Sequence, residues 1–221
     1  MVGMETIRAR HSVRQYLDKP LTAEDISALT AEIAACNSEG GLHIQLVTDE
    51  PEAFAGFMAR YGKFSGVKNY IAMIGKKGPD LDERCGYYGE RLVLLAQQLG
   101  LNTCWVGLSY RKVKAAYTVD SGESLRAVIA VGYGAAQGTP HRSKAMREVA
   151  RAPEPAPEWF RNGMEAVLLA PTAVNQQKFV FTLADGKVRA QAGGGFYTKM
   201  DLGIAKYHFE LGAGKENFQW A

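Results

Sequence analysis

The sequence predicts an α+β fold in which a mixed β-sheet is flanked by helices. Apolar segments of strand length alternate with segments of helical periodicity, and the turns between them are short. In addition, the pair Asp185-Gly186 is typical of a β-hairpin turn. We expect the 221 residues to form a single domain over residues 1–221.

Helices are predicted where apolar residues recur every three or four positions. The first begins at Thr22, where Asp25 three residues later resembles a capping box, and ends near residue 37. A longer helix ends at Gly100, and the last one carries Leu202 and Phe209 on one face. Further helices are predicted at residues 51–62, 110–117 and 159–167.

Strands are predicted from short apolar or alternating runs. They cover residues 43–48, 69–75, 103–106, 125–131, 178–183 and 188–191. The order helix, strand, strand, helix occurs on both sides of a proline-rich connector at residues 152–157. This order suggests half-repeats over residues 1–151 and 158–221 with an internal pseudo-two-fold relation, although the residue-by-residue match is weak.

Composition excludes several classes of function. The 26 basic and 23 acidic residues give a net charge of +3, too balanced for a protein that binds nucleic acid. No apolar run approaches the roughly 20 residues that cross a bilayer, and we expect no membrane partner. Three cysteines without C-x-x-C spacing favour a reducing compartment, so a cytoplasmic location is expected. The four histidines are scattered, and no metal site is predicted.

Two basic clusters are the first candidate binding residues. Residues 8–14 read Arg-Ala-Arg-His-Ser-Val-Arg, which provides guanidinium and hydroxyl donors for a phosphate. Arg142 and Lys144 follow a glycine-rich run. The two clusters suggest one anionic ligand bound from both sides, and the alternative is a solvated basic surface.

A loop and a corner are further candidates. Asn175, Gln176 and Gln177 supply amide donors and acceptors together, which suits the edge of a flavin pyrimidine ring or a nucleobase, although capping of the loop is the alternative. Gly107 follows a short strand and lets the backbone approach a flat ligand; a tight corner with Trp105 in the core is the alternative. No G-x-G-x-x-G fingerprint opens a helix.

Four segments together resemble motifs of the FMN-dependent nitroreductase family, and they cover most of the chain. They are residues 7–16, the G-L-N-T-C-W-V-G run at residues 100–107, the V-G-Y-G run at residues 131–134 with Arg142 to Glu148, and the A-P-T-A-V-N-Q-Q run at residues 170–177. In most of the family the Asn-x-Gln motif follows the first helix, whereas here it follows the connector, and Lys178-Phe179 replace Pro-Trp. The chain therefore resembles a branch with this motif in the carboxy-terminal half.

The resemblance implies an FMN site. Arg10, Ser12, Arg142 and Lys144 would hold the phosphate. Arg14, the single catalytic candidate, would contact the N1/O2 edge of the ring, where a fixed cation favours the reduced cofactor. The other implied cofactor-binding residues are His11, Gly107, Leu108, Ala173, Asn175 and Gln177.

The implied function is an FMN-dependent oxidoreductase. Hydride would pass from NADH or NADPH through the flavin to a nitroaromatic, a quinone or a similar acceptor, with Tyr87, Tyr88 and Tyr110 as candidates beside the open ring face. Family members usually form homodimers, and the half-repeats would instead allow a pseudo-dimeric monomer. The alternatives are another flavin enzyme of the same fold, for dehalogenation or flavin cleavage, and a non-catalytic FMN-binding protein.

Overall fold

The protein is described here by a computed structural model that covers residues 2–221 and divides into two compact units. The first unit consists of Arg10–Leu81 and Arg91–Thr139. The second unit consists of residues 2–9, Asp82–Glu90 and Pro140–Ala221. The expected single domain and its internal repeat stay predictions.

Helices and strands alternate along the chain. The helices are α1 (Met4–Ala9), α2 (Ala23–Gly40), α3 (Phe57–Tyr61), α4 (Leu81–Gln98), α5 (Met146–Val149), α6 (Glu158–Val167) and α7 (Thr198–Ala213). The strands are β1 (Gln45–Val47), β2 (Tyr70–Lys76), β3 (Asn102–Val106), β4 (Glu123–Gly132), β5 (Ala150–Arg151), β6 (Phe179–Ala184), β7 (Lys187–Ala192) and β8 (Gln219–Trp220). Short 3-10 helices occupy Glu52–Phe54, Ala173–Asn175 and Lys215–Asn217. Within residues 2–221, none of the helices has both the length and the apolar character needed to cross a membrane.

The first unit contains an antiparallel sheet with the strand order β1-β2-β4-β3. One of its two central strands, β2, is buried at six consecutive residues, and only Lys76 at its end is exposed. A strand whose successive side chains point to opposite faces is buried throughout only when both faces are covered. This burial explains why β2 has a continuous apolar run instead of an alternating pattern.

The second unit contains a mixed sheet with the strand order β5-β6-β7-β8. The pairs β5/β6 and β7/β8 are parallel, and β6/β7 is an antiparallel hairpin. The hairpin turns at Asp185 and Gly186, whose φ angles are 51° and 73°, as a type I′ turn requires at both positions. The α+β class is therefore confirmed, with the strands divided between an antiparallel and a mixed sheet.

Two predicted helices are wrong. The helix expected over residues 51–62 is divided into Glu52–Phe54 and α3, because Gly56 between them is extended at ψ 173°. The helix expected over residues 110–117 does not form. There the Arg111 amide donates to Ala53 O at 2.8 Å and the Tyr110 ring stacks on Phe54, so tertiary contacts replace helical hydrogen bonds.

Helix α2 confirms the capping box. The Asp25 amide donates to Thr22 Oγ1 at 3.1 Å, and the Thr22 amide donates to Asp25 Oδ2 at 3.0 Å. The helix continues past the predicted end near residue 37 to Gly40, and Gly41 then ends it in the left-handed conformation at φ 57°.

Helix α7 is the centre of the second unit, because most of its residues are buried. A Cβ atom on Gly203 would overlap the Glu83 carbonyl of α4, and one on Gly86 would overlap the Met200 carbonyl of α7. The two glycines therefore let the backbones of α4 and α7 come into direct contact. On another side, Gly163 of α6 makes room for the Phe209 ring.

A fully buried pair of titratable side chains connects the same helices. His208 Nδ1 lies 2.9 Å from Ala166 O, and His208 Nε2 lies 2.9 Å from Glu90 Oε1. The His208 and Glu90 side chains are both 0% exposed. Because a carbonyl oxygen only accepts, Nδ1 carries a proton, and one further proton is shared between Nε2 and the carboxyl group of Glu90.

We predict that Glu90→Ala destabilises the protein by about 3–5 kcal/mol, because it leaves a buried imidazole nitrogen without its partner. Glu90→Gln keeps a hydrogen-bonding group at this position, so we expect a clearly smaller decrease in the free energy of unfolding. Free energies of unfolding from urea titrations test both variants. Equal losses for Ala and Gln would show that the hydrogen bond to His208 contributes nothing beyond side-chain packing.

Candidate functional site

The first candidate segment, Arg10 to Arg14, lies beside β3 in the first unit. Ser12 pairs with Thr103 in a parallel bridge, and the Val13 amide donates to Thr103 O at 3.0 Å. Farther along, the Ser65 amide donates to Arg14 O at 3.0 Å. These backbone bonds fix the position of the segment.

Arg10, Ser12 and Arg14 all act on the buried thiol of Cys104 in β3. Burial raises the pKa of the Cys104 thiol, and the charge of Arg14, a hydrogen bond with Ser12 and the charge of Arg10 act against that rise. Arg10 is buried at 4% exposure, whereas Arg14 is exposed and its guanidinium lies 5.9 Å from the centre of the Phe64 ring. Three of the predicted donors are thus brought together within the first unit.

The other candidates of the first unit lie close to β3. Gly107 comes directly after this strand, as predicted, and Leu108 is 70% exposed. His11 is half-buried beside Gly138, where a Cβ atom would lie 2.7 Å from the Cβ of His11. The flavin contacts expected of His11, Gly107 and Leu108 stay predictions.

The second candidate set lies in the second unit, where the Gln177 side chain holds the basic segment. Gln177 Nε2 donates to Arg142 O at 2.8 Å, and the Lys144 amide donates to Gln177 Oε1 at 2.9 Å. The Lys144 ammonium donates to Gln177 O at 2.9 Å. Asn175 Nδ2 also donates to Arg142 O at 2.8 Å, and its Oδ1 accepts from Gln177 Nε2 at 2.8 Å.

These contacts give Gln177 and Asn175 a role that the sequence did not predict. Gln177 is 2% exposed, and its amide is used in bonds to Arg142, Lys144 and Asn175. It therefore fixes the backbone that carries the two cations. Direct contact of Asn175 and Gln177 with a flavin, and the meeting of this set with Arg10 and Ser12, stay predictions.

The loop that carries these amides has a costly backbone. Val174, Asn175 and Gln177 have φ angles of 45°, 55° and 44°. A residue other than glycine in this region costs about 1–3 kcal/mol and persists only where surrounding contacts hold it. The cost is greatest for Val174, because its branched Cβ meets the backbone.

Asp201, in the first turn of α7, supplies such contacts. Its Oδ1 accepts from the Ala173 amide at 2.9 Å, and its Oδ2 accepts from Gln176 Nε2 at 2.6 Å. Asp201 is 3% exposed. Burial raises the pKa of this carboxyl group to about 6, although the hydrogen bonds from Ala173 and Gln176 act to lower it.

Sequence reasoning missed Asp201. An acidic residue in the first turn of a predicted helix is the available signal, but it commonly means only a favourable interaction with the helix dipole. For Ala173, which was predicted as cofactor-binding, the structure shows the hydrogen bond to Asp201, and cofactor contact stays a prediction.

The tyrosines proposed beside a flavin have other contacts in their units. Tyr87 donates its hydroxyl to Glu210 Oε2 at 2.5 Å, accepts from Lys215 Nζ at 2.9 Å and packs edge-on against Tyr88. Tyr110 stacks on Phe54 at 6.3 Å between ring centres.

One histidine lies close to carboxylates, which the sequence did not predict. His43 Nδ1 is 2.8 Å from Glu123 Oε2 and 3.9 Å from Asp120 Oδ2. Such a group could hold a metal ion, but the hydrogen bonds among its members already account for the arrangement. Burial acts to raise the pKa of Glu123, but the bonds from His43 and the Asp120 amide outweigh it and lower that pKa.

The chain is similar to known nitroreductases in sequence pattern and in fold. The family model described as "Putative TM nitroreductase" matches residues 3–213. The crystal structure of a "putative nitroreductase" from Thermotoga maritima superimposes with a TM-score of 0.66 at 20% identity, over 98% of this chain and 85% of that one. None of the curated proteins matches this chain.

Two further solved structures share the fold over part of the chain. A "putative nitroreductase in complex with FMN" from Desulfovibrio desulfuricans has a TM-score of 0.51 at 19% identity, and covers 66% of this chain and 94% of its own. A "putative NADH dehydrogenase/NAD(P)H nitroreductase" from Parabacteroides distasonis has a TM-score of 0.52 at 24% identity, and covers 66% of this chain and 95% of its own. At these identities the likeness shows the fold.

The raised pKa of Asp201 predicts a pH dependence of stability. Its folded pKa of about 6 lies above the ordinary 3.8, so its contribution is full below pH 3.8 and is lost as the pH rises to about 6. The loss is about 3 kcal/mol, because each tenfold difference in proton affinity between the folded and unfolded protein corresponds to about 1.4 kcal/mol. Asp201→Asn should abolish this component, as measured by urea unfolding between pH 4 and 8.

The control for this measurement is Asp185→Asn, at the exposed hairpin turn. It should unfold with the pH profile of the wild-type protein. If Asp201→Asn also shows the pH dependence of stability of the wild-type protein, Asp201 is ionised in the folded state as easily as in the unfolded chain.

Proposed function

We propose that this chain, which belongs to the "Putative TM nitroreductase" family, is a flavin oxidoreductase that binds FMN. The observation that carries the proposal is the position of Arg10, Ser12 and Arg14 on one short segment that is bonded to Thr103 of β3 in the first unit. The relative from Desulfovibrio desulfuricans, described as a complex with FMN, supports the choice of cofactor.

The donor sets fit a phosphate. Guanidinium and hydroxyl groups form charge-assisted hydrogen bonds with phosphate oxygens, and Arg10 and Ser12 supply one of each. In the second unit, the Lys144 ammonium is fixed through its bond to Gln177 O, so its position is set before a ligand arrives. Each set, taken by itself, suits the FMN phosphate to which the family resemblance assigns it.

Arg14 suits a different task. It is the exposed member of its group, while Arg10 is buried. We assign its cation to the N1/O2 edge of the ring, where it stabilises negative charge that develops on reduction. When bound, FMN supplies the hydride chemistry, with NADH or NADPH as the proposed donor and a nitroaromatic, a quinone or a similar small molecule as the proposed acceptor.

A second candidate function is a flavin enzyme of the same fold with a more specific substrate. The observation that favours it lies on α3 of the first unit. Phe57 and Tyr61 are 73% and 76% exposed on this short helix, and Met58 is 47% exposed. Exposed apolar side chains that are contiguous often mark a binding surface. The cytoplasmic location and the choice between homodimer and pseudo-dimeric monomer stay predictions.

We predict that the double variant Arg10→Gln/Ser12→Ala binds FMN more weakly by about 1.5–3 kcal/mol for each charge-assisted hydrogen bond removed. Riboflavin, which lacks the phosphate, should bind as it does to the wild-type protein. Quenching of flavin fluorescence measures both affinities. Because Arg10 is buried, Ser12→Ala alone provides a variant that disturbs the fold less. Unchanged FMN affinity in both variants would refute the phosphate assignment.

We also predict that Arg14→Gln slows reduction of the bound flavin by NADH or NADPH about tenfold or more, and weakens FMN binding less. Stopped-flow absorbance of the FMN-loaded protein follows the reduction. Arg111→Gln removes another exposed arginine of the first unit and should reduce at the wild-type rate. If Arg14→Gln and Arg111→Gln behave alike, Arg14 has no role in the chemistry.

A further inference from the structure

The position of Lys144 and Arg142 depends on a loop and not on a helix or strand. Both cations lie in residues 140–145, which have no regular secondary structure. Their backbone is bonded to the Gln177 and Asn175 side chains. Any displacement of the loop at residues 172–177 therefore displaces the two cations.

This loop does not hold its conformation by local preference. Val174, Asn175 and Gln177 are all left-handed, and Val174 is 81% exposed, so no packing of its side chain compensates. Internal bonds exist, such as that from the Gln177 amide to Thr172 Oγ1 at 3.1 Å. However, these bonds stay within the loop and do not attach it to the rest of the unit.

Asp201 attaches the loop to α7 at two points. Its Oδ1 accepts from the Ala173 amide and its Oδ2 accepts from Gln176 Nε2, so the bonds lie on either side of Val174 and Asn175. Gln176 Nε2 also donates to Phe196 O at 3.0 Å, just before α7. Two bonds from one rigid carboxylate on a buried helix fix both the position and the direction of the loop.

We propose that Asp201 is a positioning residue for FMN binding, acting through the loop on Arg142 and Lys144. This inference rests on the proposed function. In this proposal, a buried carboxylate sets where the two phosphate-binding cations lie, although it contacts neither of them in the structure. Because only the phosphate is bound by these cations, the effect should distinguish FMN from riboflavin.

The test compares Asp201→Ala and Asp201→Asn with both flavins. In Asp201→Ala the dissociation constant for FMN should rise about tenfold or more, since the loop loses two bonds to a charged group. The constant for riboflavin should rise clearly less, because riboflavin lacks the phosphate that Arg142 and Lys144 would bind, although Asn175 and Gln177 of the displaced loop are expected to contact the ring. Asp201→Asn should restore part of the FMN affinity, because its amide oxygen still accepts from the Ala173 amide, whereas the bond from Gln176 Nε2, which also donates to Phe196 O, is lost.

The matched control is Leu202→Ala, which removes a buried side chain from the same turn of α7 and no hydrogen bond to the loop. It should lower the melting temperature and leave the ratio of the FMN and riboflavin constants unchanged. The proposal is overturned if Asp201→Ala binds FMN like the wild-type protein, weakens both flavins equally, or changes the ratio no more than Leu202→Ala does.

A measurement without flavin separates this proposal from the proposed function. Hydrogen exchange of the Lys144 amide, which is bonded to Gln177 Oε1, should become faster in Asp201→Ala and not in Leu202→Ala. If the wild-type protein binds neither flavin, the proposed function and the cofactor role fail together, while the exchange still shows whether Asp201 holds the loop. If FMN binds, but Asp201→Ala changes neither the exchange rate of the Lys144 amide nor the ratio of the FMN and riboflavin dissociation constants, only the positioning role fails.

Discussion

The second unit depends on the direct backbone contact between α4 and α7 at Gly86 and Gly203. A methyl group at either position would push the two helices apart. Helix α7 also carries two buried polar side chains, His208 and Asp201, whose hydrogen-bond partners lie on other elements. His208 reaches Glu90 of α4, and Asp201 reaches the loop before β6. Buried polar groups of this kind stabilise a fold only when their partners are in place, so the helix contact sets the geometry of both.

The two units place their cations in different ways. In the first unit, Ser12 and Val13 are held by backbone pairing with Thr103 of β3. In the second unit, Lys144 is held by the side-chain amide of Gln177. The loop that carries Gln177 is in turn held by the carboxylate of Asp201. Bonds between backbone groups tolerate most substitutions, whereas a series of side-chain bonds is broken by a single substitution.

The parts of the fold that are set by neighbouring residues could be predicted from the sequence. The capping box at Thr22 and the turn at Asp185-Gly186 are confirmed, because both are decided within four residues. The segment around Tyr110 was predicted wrongly, because its contacts with Phe54 come from a distant part of the chain. At the candidate site the residue types at Arg10, Ser12 and Arg14 indicated a group that the structure brings together. The role of Asp201 could not be predicted, since nothing in the local sequence links it to Gln176.

The exposed side chain of Val174 makes the amide-bearing loop accessible to chemical labelling. Cys36, Cys85 and Cys104 are all buried, and burial raises the pKa of Cys36 to about 12, so the native thiols are poor nucleophiles at neutral pH. A cysteine introduced in place of Val174 would be exposed and would therefore react faster with thiol reagents than the three native cysteines. A dye or spin label attached there would report the motion of this loop in solution without removal of any native residue from the core.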